Sequence, residues 1–111
     1  MPGIRDDLAD MDRLIHEPAR LAILTALSAC KSADFLFLQR LIGLTAGNLS
    51  SHLTKLEGAG LLWVDKQILS KRPHTRVGLT DAGRLAIQRH WQQLDDLQRH
   101  ARQIGSGNLQ D

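Results

Sequence analysis

The sequence lacks the groups that most small-domain functions require. Among its 111 residues Cys30 is the one cysteine, so no intrachain disulfide can form and a disulfide-stapled secreted scaffold is excluded. No apolar run approaches the ~18 residues of a membrane-spanning helix. The opening Met1-Pro2-Gly3-Ile4-Arg5-Asp6-Asp7 has no apolar stretch of the signal-peptide kind, so a reducing cytoplasm and no membrane partner are expected. Valine occurs only at Val64 and Val77 while leucine is abundant, which favours helices over sheet. Large enzyme folds are too long for the chain, a barrel needing roughly 250 residues. There is no Gly-rich phosphate loop, nucleophile elbow or pair of catalytic carboxylates, so neither enzymatic activity nor a cofactor is expected. His16, His52, His74, His90 and His100 are scattered; Asp96 and His100 stand four apart, but two ligands do not make a zinc site, so no metal is expected. Cys30 closes an apolar segment and reads as a small buried side chain rather than a redox switch.

What is present is an ordinary globular mix, 42% hydrophobic and 23% charged, read as one domain over 1–111. The net charge of +2 is unevenly spread. Residues 1–17 hold two cations against five anions, net −3, and residues 40–76 hold six cations against two anions, net +4. A basic middle is what a local anion-binding surface requires.

Periodicity divides the chain. Ile4, Leu8, Met11 and Leu14/Ile15 stand at helical spacing and predict an amphipathic helix over 4–16. Pro18 suits the first turn of a second helix, whose apolar face is Leu21, Ile23, Leu24 and Leu27. Residues 33–35 read as a short extended piece, and Leu36 to Ile42 as a brief helix stopped by Gly43. Thr45 is a plausible N-cap for a helix over 46–57, ended by Gly58-Ala59-Gly60. Leu61–Lys66 and Thr75–Leu79 read as strands around a polar, basic loop over 67–74. Thr80-Asp81 caps a long helix over 81–104 that frays at 105–107. The fold class is mainly α with a small β-hairpin (α+β). It is a winged helix-turn-helix over 18–80, with Gly43-Leu44-Thr45 as the turn and extra N- and C-terminal dimerisation helices.

On a wheel of about 100° per residue, Leu49, Leu53 and Leu56 set the buried face of helix 46–57. Gly47, Ser51, Thr54, Lys55 and Gly58 point the opposite way, with Asn48 and Ser50 beside them. An outward face of small residues, hydroxyls, an amide and one lysine suits a helix that enters a major groove. Asn48 could pair with adenine and the serines could meet bases or phosphates. A merely solvated helix would carry more Glu and Lys, and Ser and Gly weaken a helix. His52 lies beside the buried face and reads as packed or cap-like.

The run Thr45-Ala46-Gly47-Asn48-Leu49-Ser50-Ser51-His52-Leu53-Thr54-Lys55-Leu56-Glu57-Gly58-Ala59-Gly60-Leu61-Leu62 resembles the recognition helix of small MarR- and ArsR-like winged-helix transcriptional regulators. His16 to Leu24 resembles the start of their first core helix, and Lys71 to Arg84 resembles their wing and the start of their last helix. The similarity covers about residues 8–97. It implies a transcription factor that binds operator DNA as a homodimer, of the stand-alone, MarR-like kind, with its wing on the flanking minor groove or backbone. The cysteine pair through which some ArsR-like repressors sense metals is missing.

The expected DNA contacts are therefore Thr45, Gly47, Asn48, Ser50, Ser51, Thr54 and Lys55 on the recognition helix, and Lys71, Arg72, His74 and Arg76 on the wing, with Pro73 stiffening its tip. Leu8 and Met11, with Ile87, Trp91, Leu94, Leu97, Ala101 and Ile104 at near-heptad spacing, are the expected dimer interface. Leu85 is expected to pack within its own subunit. A small-molecule effector is compatible with this, in a pocket between the terminal helices and the winged core near Trp91. The other reading is a winged-helix protein–protein module without DNA binding, but its recognition face would need apolar anchors, and there are none.

Overall fold

The computed structural model describes residues 11–108. Residues 11–16 are helical, while Leu8 and the rest of the expected 4–16 helix lie outside the described residues. Helix α1 (Pro18–Ser28) begins at Glu17, whose carboxylate accepts the Arg20 backbone N–H at 2.8 Å. Pro18 occupies the first turn, where a backbone N–H would have no helical partner. Ile23, Leu24 and Leu27 are the buried stripe. Strand β1 (Ala33–Asp34) leads into α2 (Phe35–Ile42), which stops at Gly43 in the left-handed region (φ 78°). After the three-residue turn, Thr45 caps α3 (Ala46–Gly58), its Oγ1 accepting the Asn48 N–H at 3.1 Å. Strands β2 (Leu62–Leu69) and β3 (Arg72–Leu79) follow, then α4 (Asp81–Asn108).

The sheet has three antiparallel strands in the order β1-β3-β2. Its hairpin is longer than the sequence suggests. The expected loop over 67–74 shrinks to a turn at Ser70-Lys71, both left-handed (φ 51° and 63°), and Leu69 pairs directly with Arg72. Two positive φ angles in a two-residue loop match the twist of the flanking strands. Pro73 is therefore not at a loop tip: it sits in β3 opposite Ile68. That is a non-hydrogen-bonded position, and β1 pairs with β3 only at Arg76 and Val77, so the missing N–H costs no ladder bond.

Helix α4 is anchored at its start. Thr80 Oγ1 donates to the Gly60 carbonyl at 2.6 Å and accepts the Gly83 N–H at 3.0 Å, while the Thr80 N–H bonds to the Leu61 carbonyl at 3.1 Å. Arg84 donates to the Cys30 carbonyl at 3.0 Å, which ties α4 to the end of α1. A Cβ at Gly83 would collide with the Leu61 carbonyl, so glycine lets the helix approach that backbone. The approach turns Gly83, Ile87 and His90, at helical spacing, into the core. Two expectations are corrected by this. Ile87, placed by its spacing in a dimer interface, is 2% exposed and belongs to the chain's own core. Leu85, expected to pack inward, is 47% exposed because it points away from that face. The helix also continues through 105–107 to Asn108 rather than fraying there.

His90 is 6% exposed and meets the His16 ring edge-on at 5.1 Å, with no hydrogen-bond partner on Nε2. Burial, and next the neighbouring His16, hold its pKa below the ordinary histidine value, against an opposing pull from Asp12. The unfolded chain takes up this proton below about pH 6.5 while the fold resists it. The contribution is thus fully present above that pH and is lost as pH falls towards the depressed folded value. His90→Leu should flatten the decline in unfolding free energy between about pH 7 and 5, measured by urea denaturation. An unchanged slope in the variant would place the acid sensitivity elsewhere.

Candidate nucleic-acid interface

Helix α3 buries Leu49, Leu53 and Leu56 and leaves Gly47, Asn48, Ser50, Ser51, Thr54 and Lys55 exposed along its outer side. Two of the expected hydroxyls have local work: Thr45 Oγ1 caps the helix and Thr54 Oγ1 donates to the Ser50 carbonyl at 2.9 Å. Glycine and hydroxyl residues are weak helix formers, so α3 depends on its cap and its three buried leucines.

The inner edge of α3 is moored to the N-terminal segment. Arg20 donates from Nε to the Leu14 carbonyl at 2.6 Å, and its Nη1 lies 3.4 Å from His52 Nδ1. His52 Nδ1 is also 3.8 Å from the Glu17 carboxylate. Burial pushes the Glu17 carboxyl pKa up, but the Arg20 and Ala19 backbone N–H groups and the nearby His52 and Arg20 outweigh it and hold it below the ordinary value. His52 is thus a packed residue. Arg20 and Glu17, which set the position of α3 through it, were not singled out from sequence. The local signal was an acidic residue directly before Pro18, a capping pattern.

The wing is reordered by its pairing. Alternation puts Leu62, Val64, Lys66 and Ile68, with their partners Leu79, Val77, Thr75 and Pro73, on one face of the hairpin. This face turns towards α3. A groove of about 390 Å³ lies between them, bordered by Ser50 and Thr54 of α3 and by Lys66 and Thr75 of the wing. The opposite face carries Arg72, His74 and Arg76, opposite Leu69, Gln67 and Asp65. Three of the four expected wing residues therefore share the face turned away from α3, with Lys71 in the turn beside them. Lys71 stands in the turn and Arg72 beside it, both exposed. Arg76 is held back by Ser32 Oγ, which accepts from its Nη2 at 2.7 Å and its Nε at 3.0 Å, and it stands opposite Asp34 and Asp65 in the ladder. Lys66, absent from the expected site, is the wing cation on the α3 side. It lay within the expected strand Leu61–Lys66, on the same face as Leu62 and Val64 by alternation.

At the other end of the molecule Met11 is partly buried against the core. From Trp91 to Ile104 every residue of α4 is exposed, including Leu94, Leu97 and Ala101. The Trp91 indole N–H donates to Thr25 Oγ1 at 3.3 Å, and beside it Leu21, Ala22 and Leu41 line an apolar trough. Asp96 is engaged by Gln92 and Arg99, at 3.0 and 3.2 Å, and among the described residues no three metal-ligating side chains are grouped. A cavity of about 310 Å³ lies between residues 11–15 and α4, lined by Met11, Ile15, Leu61, Leu85, Arg89 and His90; Trp91 is not part of it. No described helix is long and apolar enough to cross a membrane.

Residues 19–97 match the family described as Winged helix DNA-binding domain. A transcriptional regulator homologue from Pyrococcus horikoshii is 32% identical, with 86% of this chain and 97% of that one covered at a TM-score of 0.77. A transcriptional regulator of the MarR family from Enterococcus faecalis has the same fold at 19% identity, 96% and 94% coverage and a TM-score of 0.73. So does the homodimeric winged helix-turn-helix DNA-binding domain of a Mycobacterium bovis protein, at 21% identity, 87% coverage of both chains and a TM-score of 0.64. The turn-linked pair α2–α3, the hairpin behind it and the match over most of the chain agree: the protein belongs to the winged helix DNA-binding domain family.

Proposed function

We propose that the chain is a sequence-specific, double-stranded DNA-binding transcriptional regulator that acts in the cytoplasm as a homodimer, without enzymatic activity. One observation carries the reading: α3 presents an outward face of Gly47, Asn48, Ser50, Ser51 and Lys55 with no apolar side chain on it. Such a face fits a major groove and gives a protein partner nothing to bury. Asn48 and the serines would reach base edges, and Lys55, Lys66, Lys71 and Arg72 would neutralise phosphates. The exposed α4 stripe supports an isologous dimer, as in the homodimeric Mycobacterium bovis domain. A two-fold axis there would set two α3 helices about 34 Å apart, one turn of DNA.

A salt titration of binding to random and to selected duplexes tests this. Arg72→Ala, which removes one cation from each wing of the dimer, should weaken binding to all sequences alike and reduce the log–log salt slope by about 1.8. Asn48→Ala should instead narrow the gap between selected and random DNA by about 1–3 kcal/mol per half-site. Equal losses on both duplexes would remove Asn48 from the base readers. Absence of DNA binding even at low salt would overturn the reading.

A further inference from the structure

On the α3 side of the hairpin the wing ends in an apolar pair. Ile68 and Pro73 face each other across the ladder, and side chains at such non-hydrogen-bonded positions approach closely. Ile68 is 79% exposed, and Pro73 is exposed as well. β2 is an edge strand, where exposed positions are ordinarily charged to keep the edge soluble. Here the apolar pair is instead surrounded by cations: Lys66 on the same face, Lys71 in the turn and Arg72 next to Pro73.

Strand spacing places the pair relative to DNA. Same-face neighbours on β2 are about 6.6 Å apart at about 3.3 Å per residue. Lys66 and Thr75 border the groove against α3. With α3 in the major groove, the sugar–phosphate strand bounding that groove crosses at Lys66 and Thr75. Ile68 and Pro73 then stand one same-face step beyond it, over a minor groove about 6 Å wide. Pro73 has a fixed φ, and a two-residue turn holds the ends of both strands, so the ridge is stiff.

We propose that Ile68 and Pro73 form an apolar wedge that enters the minor groove flanking the α3 site and partly unstacks one base step. The inference rests on the DNA-binding reading above. The pair has no side-chain donor or acceptor, so it reads deformability rather than base edges. It favours flexible pyrimidine–purine steps, TA and CA, over stiff A-tracts. Lys66, Lys71 and Arg72 offset the unstacking by holding the phosphates on either side.

Selection of binding sites from a random duplex pool, run in parallel with the wild type, Ile68→Ser, Ile68→Thr and Gln67→Ala, tests it. Ile68→Thr keeps the β-branch that suits a strand and guards against a folding defect in the serine variant. All four proteins should enrich the same central sequence. The wild type and Gln67→Ala, altered on the opposite face of the hairpin, should also enrich TA or CA steps at a fixed flanking position, and the two Ile68 variants should not. On the wild-type-selected duplex the Ile68 variants should lose about tenfold in affinity, the size of one base-pair preference. End-to-end energy transfer should report a straighter duplex in their complexes. Identical flanking enrichment and identical bending in the wild type and both Ile68 variants overturn the wedge and leave the DNA-binding reading standing. A wild-type protein that enriches no sequence at all overturns both.

Discussion

Gly83→Ala lowers the unfolding free energy by about 3 kcal/mol, a fall of roughly 10–15 °C in Tm for a chain of this size. Helix propensity by itself predicts the opposite, since alanine is favoured over glycine by about 1 kcal/mol inside a helix. Packing decides the sign. The new methyl group would collide with the Leu61 carbonyl, and that carbonyl cannot step aside because it accepts the Thr80 N–H at 3.1 Å. Relief requires α4 to lift from the end of α3, which loosens the Thr80 bonds to Gly60 and Gly83 as well. Gly78 provides the control. A methyl group there meets the Trp63 indole, an exposed side chain that can swing into solvent, so Gly78→Ala should cost less than about 1 kcal/mol. Urea denaturation of the two variants measures the difference. If both cost the same, the contact with the Leu61 backbone is not what requires glycine at Gly83.

The second large effect concerns the proposed dimer. Trp91, Leu94, Leu97 and Ile104 are exposed along α4, Leu97 at 66% and Ile104 at 59%. Each large apolar side chain is worth about 1.5–3 kcal/mol when fully buried. About half of each side chain is still exposed, so the eight across a two-fold interface gain roughly 6–12 kcal/mol, of the same order as an association cost of ~4–15 kcal/mol. Replacing Leu94 and Leu97 together by glutamate sets four carboxylates into that interface and removes half of its large side chains. The variant should sediment as a monomer with unchanged far-ultraviolet circular dichroism, because neither residue belongs to the chain's own core. Its affinity for a duplex with two half-sites should fall at least about 100-fold, the linkage between two tethered binding events, while affinity for one half-site stays the same. A variant that still sediments as a dimer would move the interface to another apolar surface, such as Leu36, Phe37 and Leu41 on α2, each 57% exposed.

Much of the fold was legible because its signals are local. Gly43 stops α2 by adopting the left-handed conformation, and Thr45 starts α3 by satisfying a free N–H within the same turn. The spacing of Leu49, Leu53 and Leu56 orients α3, so the outward side of the helix could be read before any tertiary contact was known. The wing was less legible. Its turn uses Ser70-Lys71, with no glycine or asparagine to announce two left-handed residues, and Pro73 next to it suggests a loop. Only the register Leu69↔Arg72 shows that both strands continue, and it changes which cations share a face with α3.

The stripe on α4 shows where periodicity stops being informative. Leu85, Ile87, Trp91 and Leu94 all carry apolar side chains at helical spacings, and from sequence Leu85 was assigned to the core and Ile87 to the interface. Instead Ile87 lies in the core and Leu85 stands half-exposed beside residues 11–15, because Gly83 fixes the depth and rotation at which α4 meets Leu61. The sequence by itself determined the order of the helices, the stop at Gly43, the caps at Thr45 and Thr80 and the outward face of α3, since these depend on neighbours within one helical turn. The tertiary structure alone decided which face of the wing meets α3, which side of α4 is core, and that Arg20 joins Leu14 to His52. Those depend on strand register, on a backbone–backbone approach, and on a side-chain contact between residues thirty-two apart, none of which leaves a local pattern.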